Sequence, residues 1–397
     1  MKKIQFLLIF IIILTPVAFA DEAAIWLRLY ERAADFENKY LVLQNIANTE
    51  DRALIPVFLA ALNDTNSHII VEMSRQERRY FDEIQRISIM RLGDFRFIEA
   101  EDAIHKAYTN TDNLLVRAEA ITALGRMGSV KFIDEFITAL RNINMRVDGN
   151  IAQHDNEAIA FALVNYFEMV RDIRSYEVVF YASVGWYSPR SGIRENARRA
   201  LAVITDNPFE ILKRILETDA DFNNKITALA AMNDSAASDE QKSNLAVVGL
   251  REGLRHQANT PAENMLLSRL RLLSCSMLLN SSHKPPEALP YLSDILFGGI
   301  DNQRHFDASE RLAVIEVLNT YRSNESVEML IRYLRHHNTR QANNITSRDR
   351  RTVIATINAL GDSENRIAVE ELIAVTTIRW DVDVIRATQA ALEKLRR

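Results

Sequence analysis

Val116-Arg117-Ala118-Glu119-Ala120-Ile121-Thr122-Ala123-Leu124-Gly125 is the stretch whose reading decides the fold. Its apolar and small residues fall three to four apart, the spacing that gathers them on one face of an α-helix. Small side chains on that face let a neighbouring helix approach closely. Ile193-Arg194-Glu195-Asn196-Ala197-Arg198-Arg199-Ala200-Leu201 repeats the spacing, and looser copies end at Leu92-Gly93-Asp94, Leu318, Leu360-Gly361-Asp362 and Ala391-Leu392. A fixed pattern recurring along a chain is the signature of stacked structural units.

A second pattern follows the first. It is seen in Leu54-Ile55-Pro56-Val57-Phe58-Leu59-Ala60-Ala61-Leu62, in 132–140, in Ala288-Leu289-Pro290-Tyr291-Leu292 and in 326–334. Apolar positions at i, i+3 or i+4, and i+7 make each an amphipathic helix that packs back on its predecessor. Pro56, Pro208 and Pro286 stand near helix starts, where a missing N–H matters little. Leu92 to Leu124 spans 32 positions, Leu318 to Leu360 spans 42 and Leu360 to Leu392 spans 32. Paired in this order, the two patterns resemble the HEAT and short HEAT-like (PBS-lyase-type) repeat families. The resemblance implies an all-α chain, an α-solenoid of about nine helix pairs plus a terminal helix. The expected units are 23–64, 76–109, 113–142, 156–185, 190–218, 222–255, 262–298, 307–336 and 347–378, with a last helix at 381–396.

Composition agrees. Eleven Gly and eight Pro in 397 residues are less than half of average usage, which argues for helices joined by short polar turns rather than for hairpins or Gly-rich cradles. The first twenty residues read as a secretory signal. Lys2 and Lys3 supply the positive start, 6–14 is unbroken apolar sequence, and Ala18-Phe19-Ala20 offers a small-x-small cleavage site before Asp21. A membrane span needs about 20 apolar residues, and Thr15 and Pro16 interrupt this run first. Position 21 is not cysteine, so a lipoprotein is not expected. The Met-Lys-Lys start reads as bacterial, which leaves no role for the Asn-x-Ser/Thr triplets as glycosylation sites. The expectation is a signal peptide at 1–20 and one repeat domain at 21–397, periplasmic or secreted, with no transmembrane segment in the mature chain.

Formal charge is −5; without Lys2 and Lys3, 46 basic residues face 53 acidic ones, giving −7. Such a surface has no general attraction for phosphate backbones, so nucleic acid is not an expected partner. Cys275 stands alone in the chain. No intramolecular disulfide can form, and its place in an apolar run marks it as a small buried hydrophobe. The sequence contains no H-E-x-x-H, G-x-S-x-G, G-x-x-x-x-G-K-S/T or G-x-G-x-x-G, so no catalytic residue, metal or cofactor is expected.

Three weaker features remain. His68, His154, His256, His305, His336 and His337 fall in segments expected between repeats and read as solvated loop residues. Connections swell at 141–156, 298–308 and 335–349, and insertions in repeat proteins collect on one face. The last of them holds the densest basic stretch, with Arg332, Arg335, His336, His337, Arg340, Arg348, Arg350 and Arg351, whose guanidinium groups suit carboxylates or phosphates. Trp186 and Tyr187 are aromatic residues of the kind enriched at interfaces, and equally of the kind that fills an irregular unit. These two sets are the candidate partner-binding residues. Repeat architecture, export and missing catalytic motifs together point to a non-enzymatic extracytoplasmic scaffold that binds a protein or peptide. The alternatives are a lyase-type enzyme or chromophore-handling protein, as resemblance to bilin lyases would imply, and a surface-exposed adhesin.

Overall fold

The computed structural model describes residues 22–68, 73–145, 152–300, 306–343 and 349–396, which are helical with no strand among them. The expected cleavage site at Ala18, Ala20 and Asp21 lies outside the described residues. The chain divides into two compact units, Met1–Thr205 and Asp206–Arg397.

In the first unit α1 covers 22–32. It is followed by α2 (Phe36–Ile46), α3 (Ile55–Ser67), α4 (Arg75–Asp94), α5 (Glu101–Asn110), α6 (Leu114–Met127), α7 (Ile133–Met145), α8 (Ala152–Val170), α9 (Tyr176–Val184) and α10 (Ile193–Ile204). Helices α2, α4, α6, α8 and α10 pack one after another as a layer, while α3 packs on α5 and α7 on α9 behind it. The second unit contains α11 (Phe209–Thr218), α12 (Phe222–Asp234), α13 (Asp239–Arg255), α14 (Pro261–Asn280), α15 (Leu289–Leu296), α16 (Ala308–Tyr321), α17 (Asn324–Ala342), α18 (Arg350–Asp362), α19 (Val369–Thr376) and α20 (Val382–Arg396). There α12, α14, α16, α18 and α20 make one layer and α11, α13, α15, α17 and α19 the other.

Local chemistry sets where these helices begin. Ser74 with Glu77, Ser238 with Gln241 and Asp307 with Glu310 form reciprocal capping boxes at α4, α13 and α16, each satisfying two otherwise orphaned N–H groups. Pro56 sits in the first turn of α3 and Pro208 caps α11. The repeated Leu-Gly pairs close the layers. A Cβ added to Gly93 would lie 2.7 Å from that of Ala123, and one added to Gly361 would lie 2.7 Å from the Ala391 Cα. Successive helices therefore touch backbone to backbone at these points. Phe58, Phe81, Phe136 and Phe167 belong to the core of the first unit, each at most 1% exposed. Leu250, Leu292, Leu330 and Leu360 belong to that of the second.

Helix edges depart from the sequence reading in two places. Helix α17 runs to Ala342, so most of the basic stretch expected in a loop at 335–349 is helical. Helices α7 and α8 leave only 146–151 between them, where 141–156 was expected. In both cases polar residues continue a helix whose other face is still buried. The expected first unit at 23–64 contains three helices rather than two.

Candidate functional site

Arg271 stands in the apolar run of α14 and is 5% exposed. Gly253 on α13 makes room for it: a Cβ there would lie 2.7 Å from the Arg271 Cγ. Its Nε donates to Glu310 Oε1 at 2.7 Å, and its Nη1 donates to the Gly253 carbonyl at 2.7 Å. The second oxygen of Glu310 accepts from the Asp307 N–H at 3.1 Å, completing the capping box of α16. Phe306 covers the guanidinium, with its ring centre 5.0 Å from Cζ. These bonds leave Nη2 without a partner among the described residues, and the Arg271 side chain lines an open cleft.

That cleft, of about 650 Å³, lies where α13 turns into α14. Its walls include Gly253, Leu254, His256, Gln257, Ala258, Thr260, Pro261, Asn264 and Leu267. The size falls within the range of roughly 300 to 1,000 Å³ typical of small-molecule sites. Glu252 of α13, next in sequence to the cleft-lining Gly253, forms a second buried ion pair with Lys225 of α12, with Nζ to Oε2 at 3.1 Å and exposures of 2% and 1%. Lys225 also donates to the Leu216 carbonyl at the end of α11. His256 caps α13 with Nε2 3.7 Å from Glu252 Oε2, and its ring meets Phe222 edge to face at 5.3 Å. A buried charge is retained only where partners compensate it, and both cations here have a carboxylate and a carbonyl. Another hollow, about 830 Å³, is lined by Arg322, Asp362, Glu364, Arg366 and Lys394. Its charged groups are surface side chains, and Lys394 is spent on Asp362 at 2.6 Å.

The structure disperses the basic stretch read from the sequence. Arg332 lies over the Phe297 ring at 4.2 Å. Arg335 donates to Glu371 of α19 at 2.8 Å, and Arg350 reaches Asp381 at 3.0 Å and Asp383 at 3.6 Å. Arg340 and Arg351 are exposed, while Arg348 lies outside the described residues. His337 is buried, edge to face on Tyr333 at 4.6 Å, and burial together with the charges of His336, Arg311 and Arg340 pushes its pKa down to about 4. His336 is half-buried beside it. Trp186 and Tyr187 turn inward: Trp186 Nε1 donates to the Ile143 carbonyl at 3.0 Å, and the Tyr187 hydroxyl donates to Asn144 Oδ1 at 2.5 Å. They close the ends of α7 and α9. Of the remaining histidines, His68 caps α3, His154 lies within α8, and His305 is outside the described residues.

Among the described residues no group of three His, Cys, Asp or Glu side chains could hold a metal ion, and no helix is long and apolar enough to cross a membrane. Cys275 is buried, and burial pushes its thiol up to about 12. Sequence reasoning missed the cleft. An arginine inside the apolar run Leu270-Arg271-Leu272-Leu273 was the available signal, since a charge on a buried helix face demands a partner.

No family model and no curated protein matches the chain. Among solved structures it is similar to human deoxyhypusine hydroxylase in complex with glycerol, with 16% identity, 86% of this chain and 98% of that chain covered, and a TM-score of 0.28. This corrects the expectation of a non-enzymatic protein-binding scaffold. The structure to which it is similar is that of an enzyme, and the scaffold reading is withdrawn. A likeness of this degree assigns no activity in its place.

Proposed function

We propose that the second unit binds a small polar molecule in the cleft between α13 and α14, with Arg271 as its central contact. The observation that carries this is an arginine nine-tenths buried, fixed by Glu310 and the Gly253 carbonyl, with one donor nitrogen left over in a cleft of ligand size. Side chains locked by a surrounding shell of bonds are what a preorganised binding site requires. Each unit is, on this reading, a run of α-solenoid made of HEAT-like helix pairs. Support for that comes from the two-layer order of the helices and from the Leu-Gly contacts that repeat along it. The same reading takes the protein to be exported from a bacterial cytoplasm, on the strength of residues 1–20.

A thermal-shift screen against neutral and charged small molecules tests the site. Some member should raise the melting temperature of the full chain, and Ala258→Trp, which fills the cleft from its exposed rim, should abolish the shift. A screen in which nothing stabilises the protein, or in which Ala258→Trp responds like the wild type, overturns the proposal.

A further inference from the structure

The geometry points to a neutral, polyhydroxylated ligand, a short saccharide, rather than to an anion; the inference rests on the reading of this cleft as a ligand site. Charge is the first argument. Arg271 lines the cleft, and Lys225 of α12 with Arg251 and Arg255 of α13 belong to the helices that pack on α14. Each of the four has a carboxylate within 4 Å, with Lys225 to Glu252 at 3.1 Å, Arg251 to Glu217 at 2.6 Å, Arg255 to Glu252 at 3.8 Å and Arg271 to Glu310 at 2.7 Å. Glu263, in the first turn of α14, accepts from the N–H of the cleft-lining Asn259 at 2.7 Å. Four cations thus stand against the four carboxylates Glu217, Glu252, Glu263 and Glu310. An incoming carboxylate or phosphate would bring a charge that nothing in this set is free to compensate, at the expense of its own hydration.

Donor geometry is the second argument. Arginine recognises carboxylate and phosphate best through two parallel N–H groups. Arg271 has already committed Nε and Nη1, so it presents a single donor, Nη2. One donor suits one oxygen, as a hydroxyl offers.

The third argument is the character of the rim. The side-chain amides of Gln257 and Asn264 line the cleft with no hydrogen bond to other described residues. Each amide carries an acceptor oxygen beside its donor nitrogen. The Thr260 hydroxyl accepts from the Glu263 N–H at 3.1 Å, which leaves its proton to donate. A bare carboxylate accepts only, so it would use the amide donors and leave their oxygens without a partner. Hydroxyls both donate and accept, and so match every group present. Leu254, Ala258, Pro261 and Leu267 supply apolar wall for the C–H faces of a sugar ring.

Maltose, cellobiose and chitobiose, with citrate and inorganic phosphate as the charged comparison, would be titrated into the full chain by calorimetry and by saturation-transfer NMR. Gln257 and Asn264 are exposed, so Q257L and N264L leave the fold intact, and the unreactive thiol of Cys275 verifies this. At least one saccharide should bind with an affinity insensitive to ionic strength, and N264L should weaken it about tenfold, the equivalent of ~1.4 kcal/mol. Salt-sensitive binding of citrate or phosphate, lost in Ala258→Trp and without saccharide binding, overturns the ligand class and leaves the cleft standing as a site. Saccharide binding unchanged in Q257L, N264L and Ala258→Trp overturns the inference, because the sugar is then held elsewhere. Absence of binding by every compound overturns it as well, and the broader screen then decides the fate of the cleft itself.

Discussion

Replacing Glu310 with leucine removes the counter-ion of Arg271 and half of the capping box of α16 in one step. The two side chains are 6% and 4% exposed, and their N–O separation is 2.7 Å, so the charge that is left is screened only from the side of the cleft. Losing one partner of a buried pair costs about 3–5 kcal/mol, and losing the reciprocal hydrogen bond to the Asp307 N–H adds ~1 kcal/mol. Glu310→Leu should therefore destabilise the second unit by about 4–6 kcal/mol, a large part of the 5–15 kcal/mol by which domains are ordinarily stable. Arg271→Met leaves the carboxylate buried in turn and should cost ~3–5 kcal/mol. The double variant removes both charges and fills the space with apolar atoms, so it should be less destabilised than either single variant. Urea titration read from Trp380 fluorescence measures this, with Trp26 and Trp186 replaced by phenylalanine so that the only indole left lies in the second unit. Reaction of Cys275 with a thiol reagent gives an independent reading. A loss below ~1 kcal/mol for Glu310→Leu would mean that the pair behaves as a solvent-screened surface pair, and a double variant as unstable as the sum of the singles would mean that the two residues are not coupled. Either result refutes the firmly held, preorganised Arg271 on which the site depends.

Gly361→Ala should destabilise by ~1–3 kcal/mol, since the new Cβ would meet the Ala391 backbone at 2.7 Å, an overpacking cost that exceeds the ~1 kcal/mol that alanine gains in helix propensity; thermal unfolding followed by circular dichroism checks the sign. His337 should make the second unit acid-labile. Its folded pKa of about 4 lies below the ordinary 6.5, so the unfolded chain takes up the proton first, and stability present above pH ~6.5 falls by about 3 kcal/mol as the pH drops to ~4. His337→Phe should flatten that part of the stability profile, as urea midpoints measured across the range would show.

The all-helical character was legible because packing itself writes the periodicity. Gly93, Ala123, Gly361 and Ala391 are small because neighbouring backbones meet at them, and that requirement appears once in each unit. The cleft was not legible, because its parts meet only through space: Glu310 is 39 positions from Arg271, and Gly253 is 18. The basic stretch misled for a related reason. Arg335 and Asn338 look solvated along the chain, yet Glu371 on α19 accepts from both at 2.8 Å, and Trp380 donates to Asn338 Oδ1 at 2.9 Å. Those bonds hold as helix what composition reads as loop. Trp186 and Tyr187 differ from an interface pair only in having Ile143 and Asn144 to bond to, and no local pattern records that.

The Arg271 contact is one rung of a ladder. Arg271 of α14 reaches Glu310 in the first turn of α16, Arg311 of α16 reaches Asp349 at the cap of α18 at 2.8 Å, and Arg350 of α18 reaches Asp381 ahead of α20 at 3.0 Å. The carbonyl partner recurs as well, for Arg311 donates to Gly298 at 2.9 Å as Arg271 does to Gly253. Each rung ties a helix of one layer to the start of the next, which is a structural duty. What separates them is exposure, since the arginine side chains are 6%, 15% and 51% accessible in that order. An accessible ion pair is worth little and is readily replaced by water, whereas a buried one fixes its geometry and makes any remaining donor specific. Only the first rung is both buried and open on one side to a cleft of ligand size. A contact that serves elsewhere in the unit to join helices has there the rigidity and the unspent nitrogen that recognition needs.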